Sequence, residues 1–438
     1  MQVLMFLFFV TLFFYIPIII NPAILLNRGN DLQEFYWTIL YYIKEQIYLN
    51  HTLPLWNNMF FSGTPLLADP QSFLFYVPNI IFLIFPIDLA FLISLILHSF
   101  FAGLGVYLVA RRGVGLSQIS SIFAAILYII FPKTAGFLEE GHFSFVATTT
   151  WLPYLLLATI KLIKSPNILW SILLATSLTG LFFSFAIVFM WAAGFALTAL
   201  FVVGFVIILR KKNLATLIFS AVGVLLTLGL TAITLLPQIE WLPQTTRYIL
   251  LNARDVYPKW NGEIEFVKAL YPHLLEGKSF IYSLDNEKWV ATGIFITLFA
   301  LIGFLNIKGR YKFLIIFSML IVVLISLNNV SPIKTLLLSF DWYVLSLVST
   351  RIWFVAVLIS VFLAGFGLAI LASCTVFLIG LCVPEGRLST FLLWLGGVLC
   401  FSTLVLACLA DNIQAKINAG ERRMEELVKR GATATPVH

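Results

Sequence analysis

Charge is scarce in this chain: Asp, Glu, Lys and Arg make up 11% of its 438 residues. Soluble domains carry about 25%, so an ordinary cytosolic enzyme is excluded. Cysteine is absent from the first 373 residues, and the four that follow, Cys374, Cys382, Cys400 and Cys408, are spaced by eight, eighteen and eight. Those spacings fit no zinc template, and cysteines in apolar helices act as small hydrophobes. No Gly-rich phosphate cradle appears between the apolar runs, which argues against an ATP-driven pump. No basic residue precedes the first run, Val3 to Ile20, and no small-residue cleavage site follows it. It reads as a retained span and not a removed signal.

What is present is apolar. Hydrophobic residues reach 61%, with 42 Phe, which excludes disorder. Runs of about 18 or more recur, each long enough for a ~30 Å hydrocarbon core. Further spans are predicted at 87–110, 117–132, 143–163, 168–183, 185–209, 214–236, 289–306, 313–328, 351–371 and 388–410. The fold expected is all-α and polytopic, with about 10–12 transmembrane helices.

The charges segregate. The connections 111–112, 161–164, 210–212 and 308–312 hold ten Lys or Arg and no acid, whereas the complementary loops up to residue 370 hold fifteen acids. The positive-inside rule puts the N-terminus and the basic turns in the cytoplasm. The outer loops are then 21–86, 133–142, 237–288 and 329–350, the first and third of them long. Function is expected there, because the basic turns are too short to carry any. The net charge of +7 is therefore a matter of sidedness and not a nucleic-acid footprint.

In the first outer loop, residues 32–48 alternate aromatics with polar groups at helical spacing, as in a helix at the membrane interface. A stretch rich in Pro, Gly and Asn follows and is expected to fold as a compact cap. Asp31 and Glu34 share a face if their segment is helical. They read either as a base or cation site, or as an N-cap with Glu34 completing a capping box; spacing favours the cap. The second outer loop carries Lys133, Glu139, Glu140 and His142. Polar groups wedged between apolar spans mark a cavity, while a solvated turn balanced by Lys133 fits equally well. Two Glu and one His are an incomplete set for a divalent metal, and no cofactor is assigned. Arg247 and Arg351, near span ends, suit a phosphate or simple snorkelling.

Several strings taken together resemble a known family: LPLWNNMFFSGTPLLADPQSFLFYVPN after Asp31, then LHSFFAGLGVYLVARRGVGLS, GHFSFVATTTWLP, LLPQIEWLPQTTR, EKWVATGIF and STRIWF. Their order is similar to that of the YfhO-like bacterial polytopic membrane proteins, a branch of the GT-C-fold glycosyltransferases, over residues 1 to about 370. The resemblance implies sugar transfer from a polyprenyl-phosphate carrier to a cell-envelope polymer or glycolipid at the outer face of the bacterial cytoplasmic (inner) membrane. It implies Asp31 as the catalytic base or a key site carboxylate, with Glu139 or Glu140 and His142 joining the site; Glu34 is kept beside Asp31 as a catalytic candidate on its spacing. Arg247 and Arg351 would hold the carrier phosphate, and Lys133 and Trp56 join the substrate-binding set.

Beyond residue 370 the pattern departs from the family. Residues 371–410 form an atypical apolar segment and 411–438 a short charged tail, so a truncated, non-catalytic membrane partner is a further expectation. The run 351–383 reads either as one span or as broken at Gly365 or Gly367. Transport or flipping of a lipid-linked saccharide is the main alternative, weakened by the lack of Asp, Glu, Lys or Arg in the central turns of the spans.

Overall fold

The computed structural model describes residues 2–26, 29–60, 62–184, 214–245, 248, 294–307, 309–326, 332 and 353–382. The expected spans 185–209 and 388–410, the tail, Arg247 and Arg351 lie outside the described residues. Among those described, the long elements are helices: α1 (Gln2–Ile20), α2 (Thr38–Asn50), α3 (Ile87–Leu108), α4 (Gln118–Ile129), α5 (Pro132–Glu139), α6 (Phe143–Lys164), α7 (Ile168–Ser184), α8 (Ala215–Trp241), α9 (Ile294–Asn306), α10 (Gly309–Ser326) and α11 (Phe354–Cys382). The stretches Gln2–Ile20, Ile87–Val114, Phe143–Lys164 and Ala215–Gln244 are long and apolar enough to cross a membrane. Shorter apolar helices accompany them, and α4 is shorter than the span expected at 117–132.

The helices pack in a continuous series: α8 on α7, α7 on α6, α6 on α3, α3 on α4, α4 on α11 and α11 on α9, with α1 against α3 and α4. Sequence dictates which face turns inward. On α8 the buried residues are Thr216, Ser220, Gly223, Thr227, Thr231 and Thr234, a stripe of small residues, while Leu225, Leu228, Ile233 and Leu236 are exposed. Small faces let membrane helices approach closely, because lipid offers large apolar side chains as good a solvent as the bundle does. The hydroxyls find internal acceptors: Thr227 Oγ1 donates to the Gly223 carbonyl (2.9 Å) and Ser171 Oγ of α7 to the Phe219 carbonyl (2.6 Å). No hydroxyl of this kind can be left unsatisfied cheaply in hydrocarbon.

The run beyond residue 351 does not break at its glycines. Helix α11 passes through Gly365 and Gly367 without interruption. Gly367 instead meets α9 at a close crossing, where a Cβ would lie 2.0 Å from the Phe299 carbonyl oxygen; a Cβ on Gly303 would lie as close to the Leu363 carbonyl. Gly367→Ala is expected to push α9 and α11 apart at a cost of about 1–3 kcal/mol, the usual range for overpacking. A thermal unfolding midpoint in detergent equal to that of the unchanged chain would contradict this crossing.

One end of the bundle is basic. Arg111 and Arg112 follow α3, and Lys161 and Lys164 end α6, with Lys164 Nζ donating to the Gly113 carbonyl (2.6 Å). Because α3 and α6 both run from the far end toward this one, the segments before them, residues 29–86 and 132–142, gather at the opposite end. There the described residues among 51–79 form a compact segment, here called the cap. Asn57 and Thr64 pair as an antiparallel bridge, and the Leu66–Ala68 turn packs on α8.

Candidate functional site

The far end is built around a helix stop. Helix α5 ends at Glu139, Glu140 is its C-cap, and Gly141 adopts φ +77°. The His142 amide donates to the Phe137 carbonyl (2.8 Å) and the Gly141 amide to that of Leu138 (3.2 Å). This is a Schellman arrangement, which the string Glu-Glu-Gly-His encodes through its glycine. It turns the chain sharply into α6 and presents the His142 ring. Gly141 backs directly onto the first loop, where a Cβ would lie 2.4 Å from the Leu32 nitrogen and 2.7 Å from Asn30.

That contact brings Asp31 to His142. Asp31 Oδ2 lies 3.1 Å from His142 Nε2, with the imidazole 14% and the carboxylate 60% exposed. The capping reading of Asp31 is thereby corrected: its side chain makes no cap hydrogen bond, and the segment it leads, Leu32–Trp37, is a π-helical turn before α2. The competing partner is tertiary, an imidazole more than a hundred residues away. Glu34 is exposed and makes no ion pair among the described residues. Glu140 is half-buried at the helix stop. Lys133 and Glu139 are described only as backbone positions on α5. Trp56 is half-exposed on the cap, its indole over Gly63 and its carbonyl accepting from Tyr42 Oη (3.0 Å). Among the described residues no three His, Cys, Asp or Glu side chains converge as a metal site requires.

The aromatics of the first loop do more than anchor the chain at an interface. Tyr36 is buried, donates from its hydroxyl to Ser144 Oγ (2.7 Å) and accepts from Gln71 Nε2 (3.2 Å). Trp37 Nε1 donates to Asp88 Oδ1 (2.7 Å). Tyr36 therefore ties three segments together: the one that carries Asp31, the cap, and the start of α6 beside His142.

Two groups escaped the sequence reading. Tyr76 of the cap reaches into the bundle, where its hydroxyl meets His98 Nε2 (2.7 Å) and accepts from Trp151 Nε1 (2.9 Å). Burial pushes this phenol well above the ordinary tyrosine range. The other is Asp69, whose carboxyl is raised from 3.8 to about 6 by burial, against a lowering hydrogen bond from the Gln71 amide. The available signal was Ala-Asp-Pro-Gln within the quoted string, which by residue type alone reads as a turn. No family model, no curated protein and no solved structure matches this chain.

Proposed function

We propose that the chain is a GT-C-type glycosyltransferase of the YfhO-like kind, taking sugar from a polyprenyl-phosphate carrier to a cell-envelope acceptor outside the cytoplasmic membrane. The observation that carries this reading is the Asp31–His142 pair at 3.1 Å, assembled from two loops at the end of the bundle away from the basic turns. A carboxylate there would take the proton of an acceptor hydroxyl as its oxygen attacks the anomeric carbon. The bond from that carbon to the phosphate oxygen breaks, polyprenyl phosphate leaves, and one displacement inverts the anomeric centre. His142 would orient the Asp31 carboxylate. Arg247 and Arg351 are proposed to meet charge on the departing phosphate, with Lys133 as a further cation, Trp56 as a sugar platform, and Glu34, Glu139 and Glu140 on the rim.

Two features favour a lipid-linked donor. The basic turns hold no nucleotide cradle, and an apolar groove of about 270 Å³ runs between α1 and α4, lined by Phe6, Phe9, Phe13, Phe14, Ile126 and Ile130 among others. In sequence Ile130 is its residue nearest the second loop, so a prenyl chain in the groove is proposed to lead toward His142.

One observation favours transport or flipping instead. His98 is an ionisable ring buried within α3, the kind of group that marks transport pathways. Against it, both ring nitrogens are engaged, by Tyr76 and by Ser94. Liposomes containing the protein, a radiolabelled polyprenyl-phosphate sugar panel and envelope extract separate the readings. Label in the acceptor is the expected result. Label that changes leaflet without transfer would replace the enzyme with a flippase, and neither event would leave a non-catalytic partner.

A further inference from the structure

We propose that Asp69 is a substrate-contacting carboxylate of this same site, placed to accept a hydrogen bond from a sugar hydroxyl. The class of ligand rests on the glycosyl-transfer reading; the placement rests on geometry alone.

Asp69 ends the Leu66–Ala68 turn, which packs on α8, so the residue sits where cap and bundle meet. Oδ1 accepts from the Gln71 amide (2.8 Å) and closes the turn. Among the described residues nothing pairs with Oδ2, and no cation forms a salt bridge with the group. Oδ2 is not sealed from solvent, so a half-buried carboxylate with no cation beside it has one oxygen open to an incoming donor. Its raised pKa, about 6, reflects the same uncompensated burial.

The turn is also fixed in place relative to the pair. Gln71 Nε2 donates to Tyr36 Oη and Tyr36 Oη to Ser144 Oγ, and Tyr36 follows Asp31 by five residues while Ser144 follows His142 by two. Just beyond, Phe73 is buried with φ +56°, and its ring lies against Tyr36, Tyr76 and Phe143. A bulky residue in the left-handed region costs about 1–2 kcal/mol, so packing must hold the loop in this one shape. The cap is thus held as a wall of the site, and Asp69 is its one carboxylate.

The competing role is turn closure, which needs Oδ1 only. Asp69→Asn keeps an acceptor for the Gln71 amide and removes the charge; Asp69→Ser closes the same kind of turn through its hydroxyl. Binding to the full-length chain in detergent would be measured with polyprenyl phosphate and with polyprenyl-phosphate hexose. Both variants are expected to unfold no lower than the unchanged chain, since the charge they remove is poorly compensated, and to bind the sugar-free carrier normally. Their affinity for the sugar-bearing carrier is expected to fall about tenfold or more, as for loss of a hydrogen bond to a charged group. Unchanged preference for the sugar-bearing carrier in both variants would overturn the assignment and leave Asp69 as a turn residue. An intact chain that binds both carriers equally would overturn the lipid-linked-sugar reading instead, and this assignment with it.

Discussion

Asp31→Asn is expected to lower sugar transfer about 10²–10⁴-fold, the usual contribution of a positioned general base, while carrier binding is kept. The substitution is nearly isosteric. Asp31 is 60% exposed and makes no cap hydrogen bond, so the fold asks little of its charge. Exposed substitutions away from special features stay within about 0.5 kcal/mol. An amide oxygen still accepts from a His142 Nε2–H at the same 3.1 Å, so the two loops remain joined. What is lost is the capacity to take a proton. The measurement is initial transfer rate from the radiolabelled carrier alongside carrier binding in the same preparation. Transfer within about tenfold of the unchanged chain would fall well short of a base's usual share. The search would then move to Glu34 and Glu140, the exposed and half-buried carboxylates of the same two loops.

How much of this was legible follows from the range over which each signal acts. The apolar runs and the sorting of charge are local, and they placed α1, α3, α6, α7 and α8 within a few residues. The helix stop at Gly141 is also local, since a glycine after Glu-Glu is enough to encode it. Asp31 and His142 could each be named as candidates from their surroundings, but their meeting depends on Gly141 packing against the backbone at residues 30–32. No spacing rule reaches that far. The same range sets the limits. Local spacing made Asp31 a cap, whereas a distant imidazole takes its carboxylate. Local aromatic pattern marked residues 32–48 for an interface, but it could not show that Tyr36 and Tyr42 also bond to Ser144 and the Trp56 carbonyl. At Gly365 and Gly367 local content left two readings open, a break or one span, and the structure shows the unbroken helix, in which glycine serves as a place for a neighbour to approach. Asp69 was silent because turn chemistry and substrate chemistry draw on the same residue type.

Gly141→Ala is expected to cost about 10²-fold in transfer, although residue 141 carries no functional side chain. Two effects combine at this position. At φ +77° an alanine is strained by about 1 kcal/mol. Its Cβ would also lie 2.4 Å from the Leu32 nitrogen, so one loop must back away from the other. Backbone atoms cannot swing aside as a flexible side-chain tip does. The retreat would lengthen the Asp31–His142 contact, and a misplacement of about 1 Å is enough to remove roughly 10²-fold of a rate. Gly115→Ala separates the two effects. Gly115 has φ +92° at the basic end of the bundle, and a Cβ there would meet nothing within 4 Å. Both variants should lose about 1 kcal/mol to backbone strain, with a further loss in Gly141→Ala from the close contact, but only Gly141→Ala should lose transfer. Equal rates in the two variants would mean that the close approach of the loops does not set the geometry of the pair. The carboxylate would then be acting without its histidine.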